Sequence, residues 1–422
     1  MNFKKTVLPN GVRIITAPMQ GNPTATVMVA VATGSFYEKP EQAGLSHFLE
    51  HMFFKGTTKR PSAFHITSEL DSIGALYNAF TSKDMTGYWA KADAKHFGRI
   101  ADVVTDVFKN STFPEKEVEK EKGVVMGEID MYADDPQEKI GDAVLKHMYG
   151  GEPAERDVLG TKQTVSAITR DELIAYRDAQ YTGPNIVVTL AGGVAEADML
   201  AWAKANFGDA PRTPPPPEFL TYDRSQKGPE TVFIDKDTDQ AHIILAWRTF
   251  ARDNPDRWIA RIIKNILRSG MSSRLFIKLR DEMGSGYYVS ASHALHTSFG
   301  FFAIATGTTH GRVPEIVSAI IAETERLKTE PVSRAELDRV REFMRAQRLM
   351  GLETSDEIAG YCSEQEALED RILTPEEFEA IFAKISPDDI MRVAKTIFAG
   401  NRLTAAAIGK GIDKDAVIRA IS

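Results

Sequence analysis

The chain repeats one sequence pattern at a distance of 217 residues, and this repeat limits its possible folds more than any other feature. Residues 168–173 (ITRDEL), followed by Gly-Pro-Asn at 183–185, resemble residues 385–390 (ISPDDI), followed by Gly-Asn at 400–401; 385 − 168 and 400 − 183 are both 217. Each copy has the pattern of a capped helix, a turn and a β-type run. The chain is therefore expected to contain two domains of the same fold.

A proline-rich segment separates the two copies. Residues 213–217 read Thr-Pro-Pro-Pro-Pro. Proline removes an amide donor and fixes φ, so this stretch can continue neither a helix nor a central strand. We predict an N-terminal domain at 1–210, a linker at 211–228, and a C-terminal domain of the same fold at 229–422.

Strand-like and helix-like stretches alternate in the first half of the chain. Because meandering strands are mixed with helices, we expect an α+β fold of two homologous domains, each a mostly antiparallel sheet with helices packed on one face. The predicted strands lie near 12–17, 24–33, 75–81, 86–92 and 186–191. The predicted helices lie near 41–54, 61–73, 94–109, 115–133, 136–148, 169–179 and 195–206.

Composition excludes several classes of protein. The net charge of −8, from 51 basic and 59 acidic residues, disfavours a nucleic-acid partner, because phosphate binding usually leaves a basic surface. No apolar run approaches the roughly 20 residues that span a bilayer, so no membrane association is expected. Cys362 is the single cysteine, which fits a reducing compartment and excludes a zinc site built from several thiolates. A cytoplasmic protein is the simplest prediction, and a mature organellar chain would have the same composition.

The sequence His-Phe-Leu-Glu-His at 47–51 carries the chemistry. On a helix His47 and His51 share a face, so both rings can turn toward one cation, with the Glu50 carboxylate beside them as a general base. Glu128, on a later amphipathic helix, is the best candidate for a third ligand, and Glu121 lies seven residues earlier on the same face. Without further support, such a motif is more often an ordinary helix face.

The second half provides an internal test of this motif. Adding 217 to positions 47, 50 and 51 gives Lys264, Leu267 and Arg268, which cannot form an equivalent site. The second copy is therefore expected to keep the fold without the chemistry.

Residues 44–57 (GLSHFLEHMFFKGT) resemble the signature of the inverzincin metallopeptidases, the pitrilysin and insulysin family. The short form of that family, typified by mitochondrial processing peptidase β subunits and bacterial relatives, is the most similar. The family has 76 residues between the motif and its glutamate ligand, which places that ligand at Glu128 (128 − 51 − 1 = 76), and its auxiliary glutamate at Glu121. The resemblance thus implies one zinc ion per chain, held by His47, His51 and Glu128.

The resemblance also implies residues that contact the substrate. Residues 77–82 (YNAFTS) resemble the family's edge strand, so Asn78 and Ala79 are expected to hold an extended peptide, together with Phe54. In the second half, Arg280 and Tyr287 match the family's Arg/Tyr pair, which would anchor the substrate near the scissile bond. Tyr288 follows directly, so the assignment of Tyr287 depends on spacing alone.

The function implied by the resemblance is zinc-dependent endopeptidase activity on unfolded peptides or short polypeptides, with Glu50 as general base to a metal-activated water. A chain with two such units implies a chamber formed by a dimer, most simply a homodimer, although a related partner subunit would also serve. Two alternatives stay open: a non-catalytic assembly or partner subunit of the same fold, and a zinc hydrolase acting on a non-peptide amide. Manganese or cobalt could occupy the same ligands.

Overall fold

The computed structural model describes residues 1–221 and 226–422, so residues 222–225 of the predicted linker lie outside the described residues. The chain forms two compact units. Unit 1 contains Met1–Asp130, Arg156–Phe219 and Arg348–Thr374, and unit 2 contains Met131–Glu155, Leu220–Gln347 and Pro375–Ser422. None of the described helices combines the length and apolar composition that a membrane crossing requires.

The regular elements are numbered in chain order. The strands are β1 (Lys4–Val7), β2 (Arg13–Pro18), β3 (Thr24–Val31), β4 (Leu76–Thr81), β5 (Thr86–Asp93), β6 (Ile186–Gly192), β7 (Glu230–Ile234), β8 (Ala241–Thr249), β9 (Val289–Leu295), β10 (Gly300–Thr308) and β11 (Leu403–Ile408). The helices are α1 (Leu45–Phe53), α2 (Ala63–Asp71), α3 (Phe97–Asn110), α4 (Glu115–Asp134), α5 (Pro136–Tyr149), α6 (Lys162–Ala167), α7 (Arg170–Gln180), α8 (Glu196–Phe207), α9 (Arg257–Leu267), α10 (Arg274–Phe276, continued by a π-helical turn at Ile277–Glu282), α11 (Val313–Thr329), α12 (Arg334–Met350), α13 (Ser355–Glu369), α14 (Pro375–Ala383), α15 (Pro387–Ile397) and α16 (Lys414–Ile421).

Unit 1 is built on a six-stranded sheet with the order β1-β2-β6-β3-β5-β4. Only the β2–β6 pair is parallel, and the other neighbours are antiparallel. Strand β4 pairs only with β5 and forms one edge of this sheet.

Both faces of the unit 1 sheet are apolar. Successive side chains in a strand point to opposite faces, and in β3 Val27 and Val29 join the large core while Met28 and Ala30 join a second cluster. Helices of the first half, including α1 and α3, contribute to the large core. The second cluster is covered by α13, which comes from the second half of the chain and packs against β3 and β6.

Unit 2 repeats this arrangement on a five-stranded sheet with the order β7-β11-β8-β10-β9, in which only β7–β11 is parallel. In β8 the ring of Trp247 packs against Phe398 at the end of α15, whereas the neighbouring Arg248 donates to the carbonyl of Met148 in α5. Adjacent strand residues face opposite ways, so α5, a helix of the first half, covers the second face of this sheet.

The two covering helices occupy equivalent places in the repeat. Adding 217 to the bounds of α5 gives 353–366, which overlaps α13, and adding it to those of α7 gives 387–397, the bounds of α15. Each half of the chain therefore supplies one helix to the compact unit of the other half. Each compact unit therefore contains segments from both halves of the chain. The boundaries 1–210 and 229–422 describe the two copies of the sequence repeat, and they stay a prediction.

The predicted fold class is confirmed: both sheets are mostly antiparallel and are packed against helices. Each predicted element of the first half is present, with bounds shifted by a few residues. The edge strand β1 and the short helix α6 were not predicted. The prediction of helices on one face of each sheet was wrong in that detail, because α13 and α5 cover the second faces.

Candidate metal centre

Helix α1 begins at a position that only glycine can occupy. Gly44 has φ +95°, and a Cβ there would lie 2.5 Å from the carbonyl oxygen of Leu159. The buried carboxylate of Glu38 accepts hydrogen bonds from the amides of Gly44 (2.9 Å) and Ser46 (2.6 Å). These amides lie at the helix N-terminus, where N–H groups have no acceptor within the helix. Burial raises the pKa of Glu38 to about 7, against the hydrogen bonds from Ser46 and Gly44 and the charge of Arg156, which lower it.

The sequence of α1 gives it one buried face and one reactive face. The buried residues are Ser46 and five apolar ones, Leu45, Phe48, Leu49, Met52 and Phe53. His47, Glu50 and His51 are only partly buried and lie away from the core. The apolar spacing of this helix therefore directs the three polar side chains of the motif to the same side.

Helix α4 brings a carboxylate to the two imidazoles. The Nε2 atoms of His47 and His51 each lie 3.8 Å from Oε2 of Glu128, and the two ring centroids are 4.5 Å apart. One donor atom from each of these residues lies within 4.8 Å of the others. Zinc binds such nitrogen and oxygen atoms at about 2.0–2.2 Å, so one ion can bridge donors up to about 4 Å apart, and the donor set fits a zinc ion.

A second carboxylate of α4 orients His51. Glu121, with 2% of its surface exposed, accepts a 2.9 Å hydrogen bond from Nδ1 of His51 and forms a 2.7 Å ion pair with Lys55. Burial would raise the pKa of Glu121, but the hydrogen bonds from His51 and Lys55 outweigh burial and lower it. With Nδ1 engaged in this way, Nε2 of His51 is directed toward Glu128.

The two imidazoles have different surroundings. Burial, and then the charge of His51, lower the pKa of His47 to about 4, so its ring is neutral at neutral pH and able to bind a metal. Burial by itself would lower the pKa of His51. The hydrogen bond to Glu121 and the charges of the surrounding carboxylates outweigh this effect, so the pKa of His51 is raised above its ordinary value. Nδ1 of His47 is buried and has no hydrogen-bond partner among the described residues.

Glu50 interacts electrostatically with His51 and Glu128, and a residue of the sheet holds its carboxylate. The hydroxyl of Thr81, at the end of β4, donates a 2.5 Å hydrogen bond to Oε2 of Glu50. Burial raises the pKa of Glu50 above its ordinary value, against the hydrogen bond from Thr81, which lowers it. No role was predicted for Thr81 or Lys55, although Lys55 lies in the motif at 44–57 and Thr81 in the motif at 77–82.

The edge strand β4 exposes some of its peptide groups. The amide of Ser82 donates to the carbonyl of Met85 at the hairpin, and hydrogen-bonded pairs alternate in an antiparallel ladder. Counting back from Ser82, the peptide groups of Tyr77, Ala79 and Thr81 point away from β5, toward the open edge. The amide of Ala79 donates instead to the side chain of Asn78, at 2.9 Å.

The remaining predicted contact of this unit, Phe54, follows the last turn of α1. Its side chain is partly buried against the large core, with its ring centroid 6.3 Å from that of Tyr88. Its predicted role toward substrate stays a prediction, as do those of Asn78 and Ala79.

Arg280 and Tyr287 lie together in unit 2. The guanidinium of Arg280 donates to the carbonyl of Tyr287 at 3.0 Å, and both residues line a cleft of about 360 Å³. The phenol of Tyr287 is 61% exposed, whereas the hydroxyl of Tyr288 is 3.1 Å from Nδ1 of His242. Tyr287 is therefore the one of the two tyrosines whose ring is available to a ligand.

Two family models match the chain. Residues 13–162 match the model described as "Insulinase (Peptidase family M16)", and residues 167–344 match "Peptidase M16 inactive domain". The first range contains the five residues predicted for the candidate metal centre, which are His47, Glu50, His51, Glu121 and Glu128. The second range contains Lys264, Leu267 and Arg268, where the repeat lacks the motif.

Relatives and solved structures extend this similarity to most of the chain. The chain is 34% identical over 361 residues (84% of this chain, 85% of the relative) to "Uncharacterized zinc protease YmxG" of Bacillus subtilis. It is 30% identical over 420 residues (98% and 91%) to "Uncharacterized zinc protease SCO5738" of Streptomyces coelicolor. Its fold is similar to that of a protease from Helicobacter pylori, with a TM-score of 0.90, 20% identity, and coverage of 97% of this chain and 99% of that one.

Proposed function

Because the chain belongs to the insulinase family, peptidase family M16, we propose that it is a zinc-dependent endopeptidase that cleaves unfolded peptides or short polypeptides. The observation that supports this proposal most strongly is the meeting of His47, His51 and Glu128 from two helices. The Glu50 carboxyl is close enough to His51 and Glu128 to interact electrostatically with both. The name "zinc protease" given to its relatives agrees with this proposal.

Each residue of the centre has a distinct task in this proposal. His47, His51 and Glu128 hold the zinc ion, and Glu121 fixes the orientation of His51. When bound, zinc supplies Lewis acidity, which polarises the scissile carbonyl and makes water a stronger acid. Glu50 takes the proton from the attacking water and later gives it to the leaving amine nitrogen.

The substrate would bind to unit 1 as an added strand. The outward peptide groups of Ala79 on β4 can pair with an extended peptide backbone, which explains how a site can accept many sequences. For this the amide of Ala79 must exchange its bond to Asn78 for one to the substrate. Folded proteins, whose backbone groups are already paired, are poor substrates for this mode of binding.

We propose further that the active form is a homodimer in the cytoplasm. The family resemblance implies a dimer for a chain with two units, and a homodimer is the simplest form. Sedimentation equilibrium should then give twice the chain mass of 46.7 kDa. The single, buried cysteine agrees with a reducing compartment. A monomer at micromolar concentration would contradict the dimer but not the peptidase.

The test of the peptidase uses purified protein, a set of quenched fluorescent peptides and elemental analysis. We expect cleavage that a chelator abolishes and zinc restores. Glu50→Gln should keep its zinc and lose at least about 100-fold in kcat, the usual contribution of a general base, whereas His51→Ala should lose both zinc and activity. Glu41→Gln, at an exposed position before α1, serves as the matched control.

Two outcomes would contradict the proposal. Zinc-loaded parent protein that cleaves no peptide would favour a non-catalytic partner subunit of the same fold. Equal kcat in Glu50→Gln and the parent protein would remove Glu50 from the mechanism.

A further inference from the structure

Thr81 is the one residue of β4 whose side chain reaches Glu50. Its hydroxyl donates to Oε2 of Glu50 at 2.5 Å, within the range of a strong hydrogen bond to a carboxylate. The bond is partly buried, so it competes weakly with water. One carboxylate oxygen of Glu50 is thereby occupied, and Oε1 is left as the oxygen that accepts a proton.

The backbone of the same residue belongs to the open edge. Thr81 lies opposite Thr86 at a non-hydrogen-bonded position of the ladder, so its own N–H and C=O point away from β5. Ala79 has the same orientation two residues earlier. A peptide that adds to β4 would pair with both residues, and its hydrogen bonds would fix the backbone of Thr81.

The direction of a threonine hydroxyl depends closely on the conformation of the backbone that carries it. The branched Cβ of threonine restricts χ1, so the direction of the hydroxyl follows φ and ψ closely. The stiff side chain links the edge of the sheet to the carboxylate on α1.

We propose that Thr81 is a positioning residue for Glu50, which couples occupation of the β4 edge by substrate to the placement of the general base. This inference depends on the proposed function. A substrate that binds as an added strand then has a second effect. By pairing with Ala79 and Thr81, the extended peptide also holds the Glu50 carboxylate in the orientation that catalysis requires. Peptides that cannot pair with the β4 edge should therefore bind more weakly and, in addition, be hydrolysed with a lower kcat once bound.

The test compares Thr81→Val, which removes the hydroxyl at nearly constant volume, with Thr81→Ser, which restores it. Loss of a hydrogen bond to a charged group corresponds to roughly 10- to 100-fold, so kcat should fall by that factor in Thr81→Val, with KM changed less than about threefold. Thr81→Ser should recover most of the parent kcat. Zinc content, the melting temperature and the affinity of the metal-free protein for the peptide should stay unchanged.

A second arm measures the coupling itself. A substrate with an N-methyl group on the amide that pairs with the edge should lose both affinity and kcat with the parent protein, but only affinity with Thr81→Val. Thr67→Val is the control, since the Thr67 hydroxyl contacts only the carbonyl of Phe64 within its own helix.

The outcomes separate this inference from the proposed function. Parent protein without chelator-sensitive cleavage overturns both. Active parent protein with equal kcat in Thr81→Val, or no recovery in Thr81→Ser, overturns the positioning role alone. Equal kcat losses on N-methylation in the parent and in Thr81→Val overturn the coupling.

Discussion

At the scale of single residues, the candidate centre depends on protonation states that neighbouring side chains set. Burial keeps the ring of His47 neutral, while Glu121 accepts the hydrogen bond that fixes the ring of His51. Lys55 in turn compensates the buried charge of Glu121. His51, Glu121 and Lys55 thus form a series of paired side chains. Removing one of them leaves its neighbour buried without a partner.

Glu121→Gln should weaken zinc binding by roughly 10- to 100-fold, the usual effect of losing such a supporting carboxylate. The amide can still accept from His51, but it carries no charge to balance Lys55. Competition with a fluorescent chelator measures this affinity. Glu119→Gln, at a largely exposed position of the same helix, should bind zinc like the parent protein, and equal affinity in Glu121→Gln would mean that Glu121 does not support the metal.

His293, in unit 2, predicts a pH dependence of stability that is independent of the metal. Burial first, and then the charges of Arg261 and Lys264, lower the pKa of its ring from 6.5 to about 3. Between these two values the unfolded chain binds a proton that the folded chain does not, so stability falls as the pH drops below 6.5. The loss approaches a few kcal/mol near pH 3, at about 1.4 kcal/mol per pH unit.

Thermal unfolding at pH 7 and pH 4 tests this prediction. The melting temperature of the parent protein should fall more than that of His293→Gln, which has no ring to protonate. His65→Gln, at an exposed position of α2, should behave like the parent protein. An equal fall in the parent and in His293→Gln would show that His293 does not contribute to acid destabilisation.

At the scale of elements, α13 is the least ordinary part of unit 1, because it reaches the sheet from the other half of the chain. Polar contacts fix its two ends: Ser355 bonds to Thr26 (2.8 Å), and Arg13 of β2 donates to the carbonyl of Glu366 (2.9 Å) and to the carboxylate of Asp370 (2.6 Å). Between these ends, apolar side chains such as Cys362 pack on the sheet. The polar ends fix the register of the helix, and the apolar middle supplies its stability.

Arg13→Met should loosen α13 selectively. The substitution removes the guanidinium from the carboxylate of buried Glu366, from the carbonyl of Glu366 and from the carboxylate of Asp370, at a cost of about 2 kcal/mol. Hydrogen exchange followed by mass spectrometry should show faster exchange at 355–369. Lys4→Met, which breaks only an exposed ion pair with Glu196, is the control, and unchanged exchange in Arg13→Met would mean that packing alone holds the helix.

At the scale of the whole molecule, the chain uses one fold twice, and the first copy carries the candidate metal centre. The first copy carries two histidines and three glutamates, which are His47, His51, Glu50, Glu121 and Glu128, and the second copy carries Arg280 and Tyr287 on the lining of a cleft. The candidate metal ligands and the residues predicted to anchor the substrate thus belong to different copies of the fold. We therefore expect substitutions in the second copy to alter the proposed cleavage without changing the metal content.

Arg280→Ala should reduce kcat/KM for peptides by about tenfold or more while leaving the zinc content unchanged, because a guanidinium that binds a substrate carbonyl has no part in holding the metal. Steady-state kinetics and elemental analysis on the same sample measure both quantities. Lys278→Ala removes an exposed ion pair with Glu282 in the same turn and should cleave normally. Normal cleavage by Arg280→Ala would contradict the assignment of the Arg/Tyr pair.

The sequence by itself determined the local structure and the chemistry that is available. The period of the apolar residues placed the helices and strands within a few residues, and the 217-residue repeat predicted two copies of one fold. The motif at 47–51 and the two glutamates of α4 supplied the ligand types. These features could be predicted because they depend on neighbours in the chain, which share a face of a helix or strand by geometry alone.

Only the tertiary structure decided which faces meet. The exchange of α5 and α13 between the halves, the ion pair of Lys55 with Glu121 and the bond from Thr81 to Glu50 each join residues that are remote in sequence. An apolar face can be buried by any other apolar face of suitable shape, because the hydrophobic effect has no direction. Which apolar faces pack together is decided by the packing of the rest of the chain. Once two faces are packed, the polar groups at their edges lie within hydrogen-bond distance of each other.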